Sequence, residues 1–266
     1  MSEAPTGRRL CRSLGADTPW ACALAVGLVL LGPVGRAQTP TKTIEERVAA
    51  LEAEVRRLRA QLSQPRADPG TGGTLPAVLS IVDAATRGAS DAGLVLVEFS
   101  DYECPFCGRY ARDTFPQIDE RYVKTGKLRY VFKNFPIEQL HPHALKAAQA
   151  AECAGAQGPY WPMHDRLFAR QDALSDEALI ASASAEGLTI STFMACLGQE
   201  VGPRIRQHLE EGRAAGVEGT PTFFLGTPGP DGTVRVTRRL TGALPYMAFE
   251  AAIDEALRDA DRRNNL

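Results

Sequence analysis

Cys104-Pro105-Phe106-Cys107 follows closely on the apolar run Leu94-Val95-Leu96-Val97-Glu98-Phe99, and this junction constrains the fold more than any other part of the sequence. A short run rich in branched and aromatic side chains reads as a buried strand. The two cysteines then stand where that strand gives way to a helix, two residues apart. The unpaired N–H groups of a first helical turn and the positive end of its macrodipole favour a thiolate at the first sulfur. Cysteines so placed have pKa values lowered to roughly 3.5–7.5. A thiolate attacks disulfides and the second cysteine resolves the mixed disulfide, so the segment is built for thiol–disulfide exchange. A structural zinc site needs two more ligands, and Cys153 and Cys196 form no second close pair, so no metal is expected.

The formal net charge of −2 over 266 residues leaves no basic footprint, which excludes nucleic acid as a partner. Residues 1–37 read as a signal peptide. Arg8, Arg9 and Arg12 make a positive start, Ala21 to Leu31 an apolar core too short for a comfortable bilayer span, and Gly35-Arg36-Ala37 a cleavage site. An uncleaved anchor is the alternative. Cleavage removes Cys11 and Cys22, leaves an even set of four cysteines, and moves the charge from −2 to −4. An exported chain with paired cysteines fits an oxidising compartment, the periplasm or cell envelope.

Residues 38–64 read as a coiled-coil helix. Ile44, Val48, Leu51, Val55, Leu58 and Leu62 alternate spacings of four and three, the seam of a heptad repeat. In a parallel assembly Arg47 faces Glu52 and Glu54 faces Arg59, so a homo-oligomer through residues 44–62 is expected. Valine at a with leucine at d favours two strands, whereas Arg47-Val48-Ala49-Ala50-Leu51-Glu52 resembles a pattern associated with short three-stranded coils; trimer and dimer both stay open. Residues 65–90 hold a flexible linker, centred on Pro69-Gly70-Thr71-Gly72-Gly73, and the start of a body near Val78.

In that body, a helix from Cys104 to about Lys124 follows the first strand, and Lys127–Phe132 is the next strand. Residues 136–216 are almost wholly helical in pattern. Strands return at Thr222–Leu225 and Val234–Leu240, and Phe249–Leu257 closes as an amphipathic helix. The order describes an α/β sheet protein carrying an all-helical insertion.

With that order and the motif together, the chain resembles the DsbA branch of the thioredoxin superfamily over residues 91–262. The resemblance is carried by Glu98 to Cys107, Leu140-His141-Pro142-His143-Ala144, the Trp161–Phe168 helix and Gly219-Thr220-Pro221-Thr222-Phe223-Phe224. It implies a thioredoxin fold with no cofactor beyond a Cys104–Cys107 disulfide, with Cys104 as exposed nucleophile and Cys107 as buried resolving thiol. Pro105 and Phe106 form the tuning dipeptide, and Phe106 stands where strongly oxidising members carry histidine, which implies a milder oxidant. Glu98 matches a buried acid beneath the disulfide; a solvent-facing strand glutamate is the alternative. Thr220 and Pro221 match a cis-proline loop that faces the motif and pairs with substrate. In an oxidising compartment Cys153, in the first inserted helix, and Cys196, near the end of a later one, are expected to form a structural disulfide; two buried free thiols are the alternative. None of His141, His143, His164 or His208 is assigned to catalysis. The resemblance implies protein substrates with cysteines, a membrane redox partner, and disulfide formation as the reaction. Disulfide isomerisation or reduction is the runner-up, which the stalk favours, followed by a non-catalytic tethered binding domain.

Overall fold

A computed structural model describes residues 43–63, 75–76, 78–199 and 202–264. The signal segment 1–37 and most of the linker lie outside the described residues. The chain divides into two compact units, one ending at Gln61 and the other running from Leu62.

The first unit holds helix α1, Ile44–Ser63. Thr43 and Glu46 form a reciprocal cap at its start: the Glu46 N–H donates to Thr43 Oγ1 at 3.2 Å, and the Thr43 N–H to Glu46 Oε2 at 2.9 Å. The seam residues Ile44, Val48, Leu51 and Val55 are all exposed, Ile44 at 79% and Leu51 at 66%. A helix of twenty residues is marginal in water on its own, and from Ile44 to Val55 its apolar seam is exposed.

The second unit is built on a six-stranded sheet: β1 Val78–Ser80, β2 Ala85–Arg87, β3 Leu94–Ser100, β4 Leu128–Asn134, β5 Thr222–Pro228 and β6 Thr233–Thr241. The strand order is β1-β6-β5-β3-β4-β2, with β3 parallel to β4 and every other pair antiparallel. Every residue of β3 is buried, as the unbroken apolar run requires. Its side chains alternate between two cores: Leu94 and Leu96 join Tyr130, Phe132 and Phe223 on one face, while Val95, Val97 and Phe99 join Val131 and Phe224 on the other.

A helical run follows the motif, with α2 at Pro105–Arg109, α3 at Phe115–Ile118, and wider π turns at Tyr110–Thr114 and Asp119–Val123. Pro116 has no N–H for the carbonyl four residues back, and the first π turn precedes it directly. Between β4 and β5 the described residues form five helices: α4 Ala144–Gly155, α5 Tyr160–Ala169, α6 Asp176–Ala185, α7 Ile190–Leu197 and α8 Pro203–Ala214. Helix α9, Tyr246–Asn264, closes the body. Strands β1 and β2 fall in the segment expected to be linker and body start; three residues each are too few to show a period.

Candidate active site

The central strand delivers its last residues to the motif, and Asp101 shapes the turn between them. Asp101 Oδ1 accepts the Glu103 N–H at 2.8 Å, and Oδ2 takes the Ile137 N–H and His141 Nδ1, each at 2.8 Å. Cys104 is extended (φ −68°, ψ 121°) and caps α2, with Pro105 in the first turn, where a missing N–H costs nothing. Both Cys104 and Cys107 are free thiols.

Cys104 was expected to be exposed, and the structure corrects this: the residue is only 4% exposed. The reason is the loop before β5, which folds across it so that the Cys104 thiol donates to the Thr220 carbonyl at 3.4 Å. The Thr220–Pro221 peptide in that loop is cis. Pro105 and Phe106 are the exposed members of the motif, and Arg109 lies over the Phe106 ring at 5.2 Å.

The two sulfurs are driven apart in acidity. The Cys104 pKa falls from 9.0 to about 6, chiefly through the hydrogen bond from the Cys107 thiol. Burial opposes this, and Thr220 and the Cys107 and Phe106 amides assist it. The helix-start amides therefore contribute, but the neighbouring thiol contributes more. Cys107 moves the other way, well above 9, because burial penalises its anion and the nearby Cys104 and Glu98 charges repel it.

Glu98 lies on the motif side of β3, opposite Phe132 and Phe223, and is 1% exposed. Burial raises its pKa from 4.5 to about 7, even though the Tyr130 hydroxyl donates to its Oε2. A carboxyl of this kind exchanges its proton near neutrality. It also leaves a signature in stability. Between 4.5 and about 7 the folded state binds more protons than the unfolded one, so ionisation of Glu98 destabilises the fold as pH rises through that window. Urea unfolding should therefore show the native protein gaining about 2 kcal/mol between pH 6.5 and pH 5 relative to Glu98→Gln. An identical pH dependence in the two proteins would place this carboxyl in water.

The other expected positions are found as follows. Cys153 on α4 and Cys196 on α7 are joined in a disulfide with Cα atoms 5.8 Å apart. Trp161 is half-buried and donates from Nε1 to the Thr86 carbonyl at 3.0 Å, and Phe168 is core. His143 caps α4, its N–H donating to Glu103 Oε2 at 2.6 Å. His164 and His208 are buried, and burial lowers the pKa of both, that of His208 to about 3. Among the described residues no cluster of three or more His, Cys, Asp or Glu is placed to hold a metal ion.

A family model described as Thioredoxin matches residues 81–237. Among solved structures, Wolbachia pipientis alpha-DsbA1 superposes with a TM-score of 0.61 at 24% identity, covering 71% of this chain and 96% of that one. Oxidised BdbD from Bacillus subtilis gives 0.60 at 22% identity, over 69% and 98%. The catalytic domain of Proteus mirabilis ScsC gives 0.52 at 26% identity, over 66% and 89%. Among curated proteins, the Na(+)/H(+) antiporter NhaA 3 of Salinispora tropica is 34% identical over 179 residues, 67% of this chain. The alignment takes in only 27% of that antiporter, so this chain spans about a quarter of the length of the curated relatives it matches. Among the described residues no helix is long and apolar enough to cross a membrane.

Proposed function

This chain belongs to the thioredoxin family, and from that membership we propose that it is a DsbA-like, exported thiol–disulfide oxidoreductase that forms disulfides in protein substrates through Cys104 and Cys107. The observation that carries this reading is the pair of free thiols at the start of α2, with the Cys104 thiol against the Thr220 carbonyl beside the cis Thr220–Pro221 bond; the opposed acidity of the two sulfurs agrees with it.

In the oxidised enzyme a client thiolate attacks Sγ of Cys104. The client–Cys104 bond forms, the Cys104–Cys107 bond breaks, and the electron pair leaves on Cys107. That sulfur is held neutral by burial and takes a proton, a role that suits Glu98, buried on the same side of β3 with a pKa of about 7. A second client thiolate then attacks the client sulfur and expels Cys104 as a stabilised thiolate. The client gains one disulfide and the enzyme is left as a dithiol. Thr220, joined to Pro221 by a cis bond, lies against Cys104, where an extended client segment can pair with the loop backbone. Return to the disulfide form requires an oxidant, a membrane redox partner in the cell envelope.

Mixing the oxidised protein with a reduced two-cysteine client tests this, by quantifying client disulfide against enzyme thiols. One client disulfide per two enzyme thiols is expected, with a reduction potential between the about −120 mV of DsbA and the about −270 mV of thioredoxin. A potential at or below thioredoxin's would overturn disulfide formation as the direction.

A second reading has its own observation, the uncovered seam of α1. Two or three copies joined there would hold several motifs around one client, which suits isomerisation of wrong disulfides. Recovery of activity from a scrambled substrate, lost when Leu51→Asp breaks the assembly, would favour it over the first.

A further inference from the structure

Gln171 occupies the turn between α5 and α6, inside the helical insertion, yet its side chain reaches the motif. Its Nε2 donates to the Tyr102 carbonyl at 2.7 Å and to the Cys104 carbonyl at 2.9 Å. Its Oε1 accepts from Arg112 Nη1 at 3.3 Å, and the same nitrogen donates to the Phe168 carbonyl at 3.3 Å. Arg112 thus fixes which end of the amide faces the loop.

The contact falls on a peptide with a single hydrogen-bonding group. Because residue 105 is proline, the Cys104–Pro105 peptide has no N–H, and the Cys104 carbonyl is its one handle. That oxygen also accepts the Gly108 N–H at 3.0 Å, the first bond of α2. Gln171 therefore holds the plane that sets the direction of the Cys104 side chain relative to the Cys107 thiol and the Phe106 and Cys107 amides.

Gly108 carries an independent mark of the same arrangement. A Cβ added there would stand 1.8 Å from Gln171 Oε1, 2.4 Å from its Cδ and 2.8 Å from Arg112 Nη1. Glycine inside a helix is less favourable than alanine. At this position that cost leaves room for the amide.

We propose that Gln171 is a positioning residue for Cys104, acting through the Cys104 carbonyl, and that Gly108 provides the space that admits it. The inference rests on the exchange chemistry proposed above. The readout is the pH midpoint of Cys104 alkylation in the reduced protein, measured for wild type, Gln171→Ala, Gly108→Ala and the double variant, with near-UV circular dichroism reporting the fold. Losing the two amide donors should raise the midpoint by about half a unit to one unit. Gly108→Ala should do the same by expelling the amide, and the double variant should shift no further than Gln171→Ala alone, because both act on one contact. An unshifted midpoint in folded Gln171→Ala, or shifts that add in the double variant, would overturn the role of Gln171 and leave the exchange reading standing. A wild type that titrates as an ordinary thiol would overturn both. Should Gln171→Ala fail to fold, Gly108→Ala alone still decides, since an unshifted midpoint there is incompatible with the arrangement.

Discussion

Reaction of the reduced protein with a small disulfide reagent across pH is expected to separate Cys104 sharply from an ordinary thiol, and to do so in acid. At pH 5 a thiol with a pKa of about 6 is roughly one-tenth ionised, while one at 9.0 is ionised to about one part in ten thousand. Nucleophilicity falls with pKa, and over three units a Brønsted slope of 0.4–0.5 costs roughly twenty-fold. About forty-fold in rate remains in favour of Cys104 at pH 5. By pH 8 the ordinary thiol is about one-tenth ionised and the advantage has gone, so a crossover between pH 7 and pH 8 is the diagnostic, more than any single rate. Cys104→Ser should lose the fast phase entirely. Cys107→Ser should retain the low midpoint, because a hydroxyl still donates to the thiolate, and should accumulate the mixed disulfide for want of a resolving sulfur. Cys107→Ala should raise the midpoint, since the Cys107 thiol is the largest contribution to the Cys104 shift. A single ionisation near 9 in the wild type would remove the basis for the mechanism.

The parts of this site that sequence could disclose are those fixed by local pattern. The run Leu94–Phe99 had to be a buried strand, and two cysteines at the following helix start had to differ in acidity. What depended on distant pairing was not legible. The burial of Cys104 is decided by Thr220, 116 residues later, and no periodicity around residue 104 reports it. Glu98 could have faced water; its position opposite Phe132 and Phe223 on two neighbouring strands is what desolvates it. Gln171 left no trace, because a glutamine in a polar turn has no pattern to break, although a glycine inside a helical stretch beside Cys107 was a signal that something approaches closely there. Pro116 lies between the two π turns, at Tyr110–Thr114 and Asp119–Val123, and is a residue that could have been read as a local disruption.

The largest stability effect should come from the second cysteine pair. The Cys153–Cys196 disulfide closes a loop over a sequence separation of 43 residues and ties α4 to α7. On the chain-entropy estimate, cross-linking a loop of that length stabilises by about 4 kcal/mol. Cys153→Ala/Cys196→Ala should therefore lower the unfolding midpoint by roughly 8–16 °C for a body of this size, while the Cys104 titration midpoint stays at about 6, since neither residue is among its causes. A fall of only a degree or two would mean that the reduced chain keeps α4 and α7 together when unfolded. Stepwise chemical reduction of the wild type gives an internal check, because the two pairs act with opposite sign. Opening the Cys104–Cys107 disulfide releases the chain entropy of a very short loop, about 2 kcal/mol, but frees a thiolate that the fold stabilises. That gain grows from about pH 6 to 9 and outweighs the loop term at pH 8, where the experiment is run. Opening Cys153–Cys196 only releases chain entropy to the unfolded state. Stability should hold or rise through the first two electrons and drop with the next two, and the order of those steps identifies which disulfide is the chemical one and which is the brace.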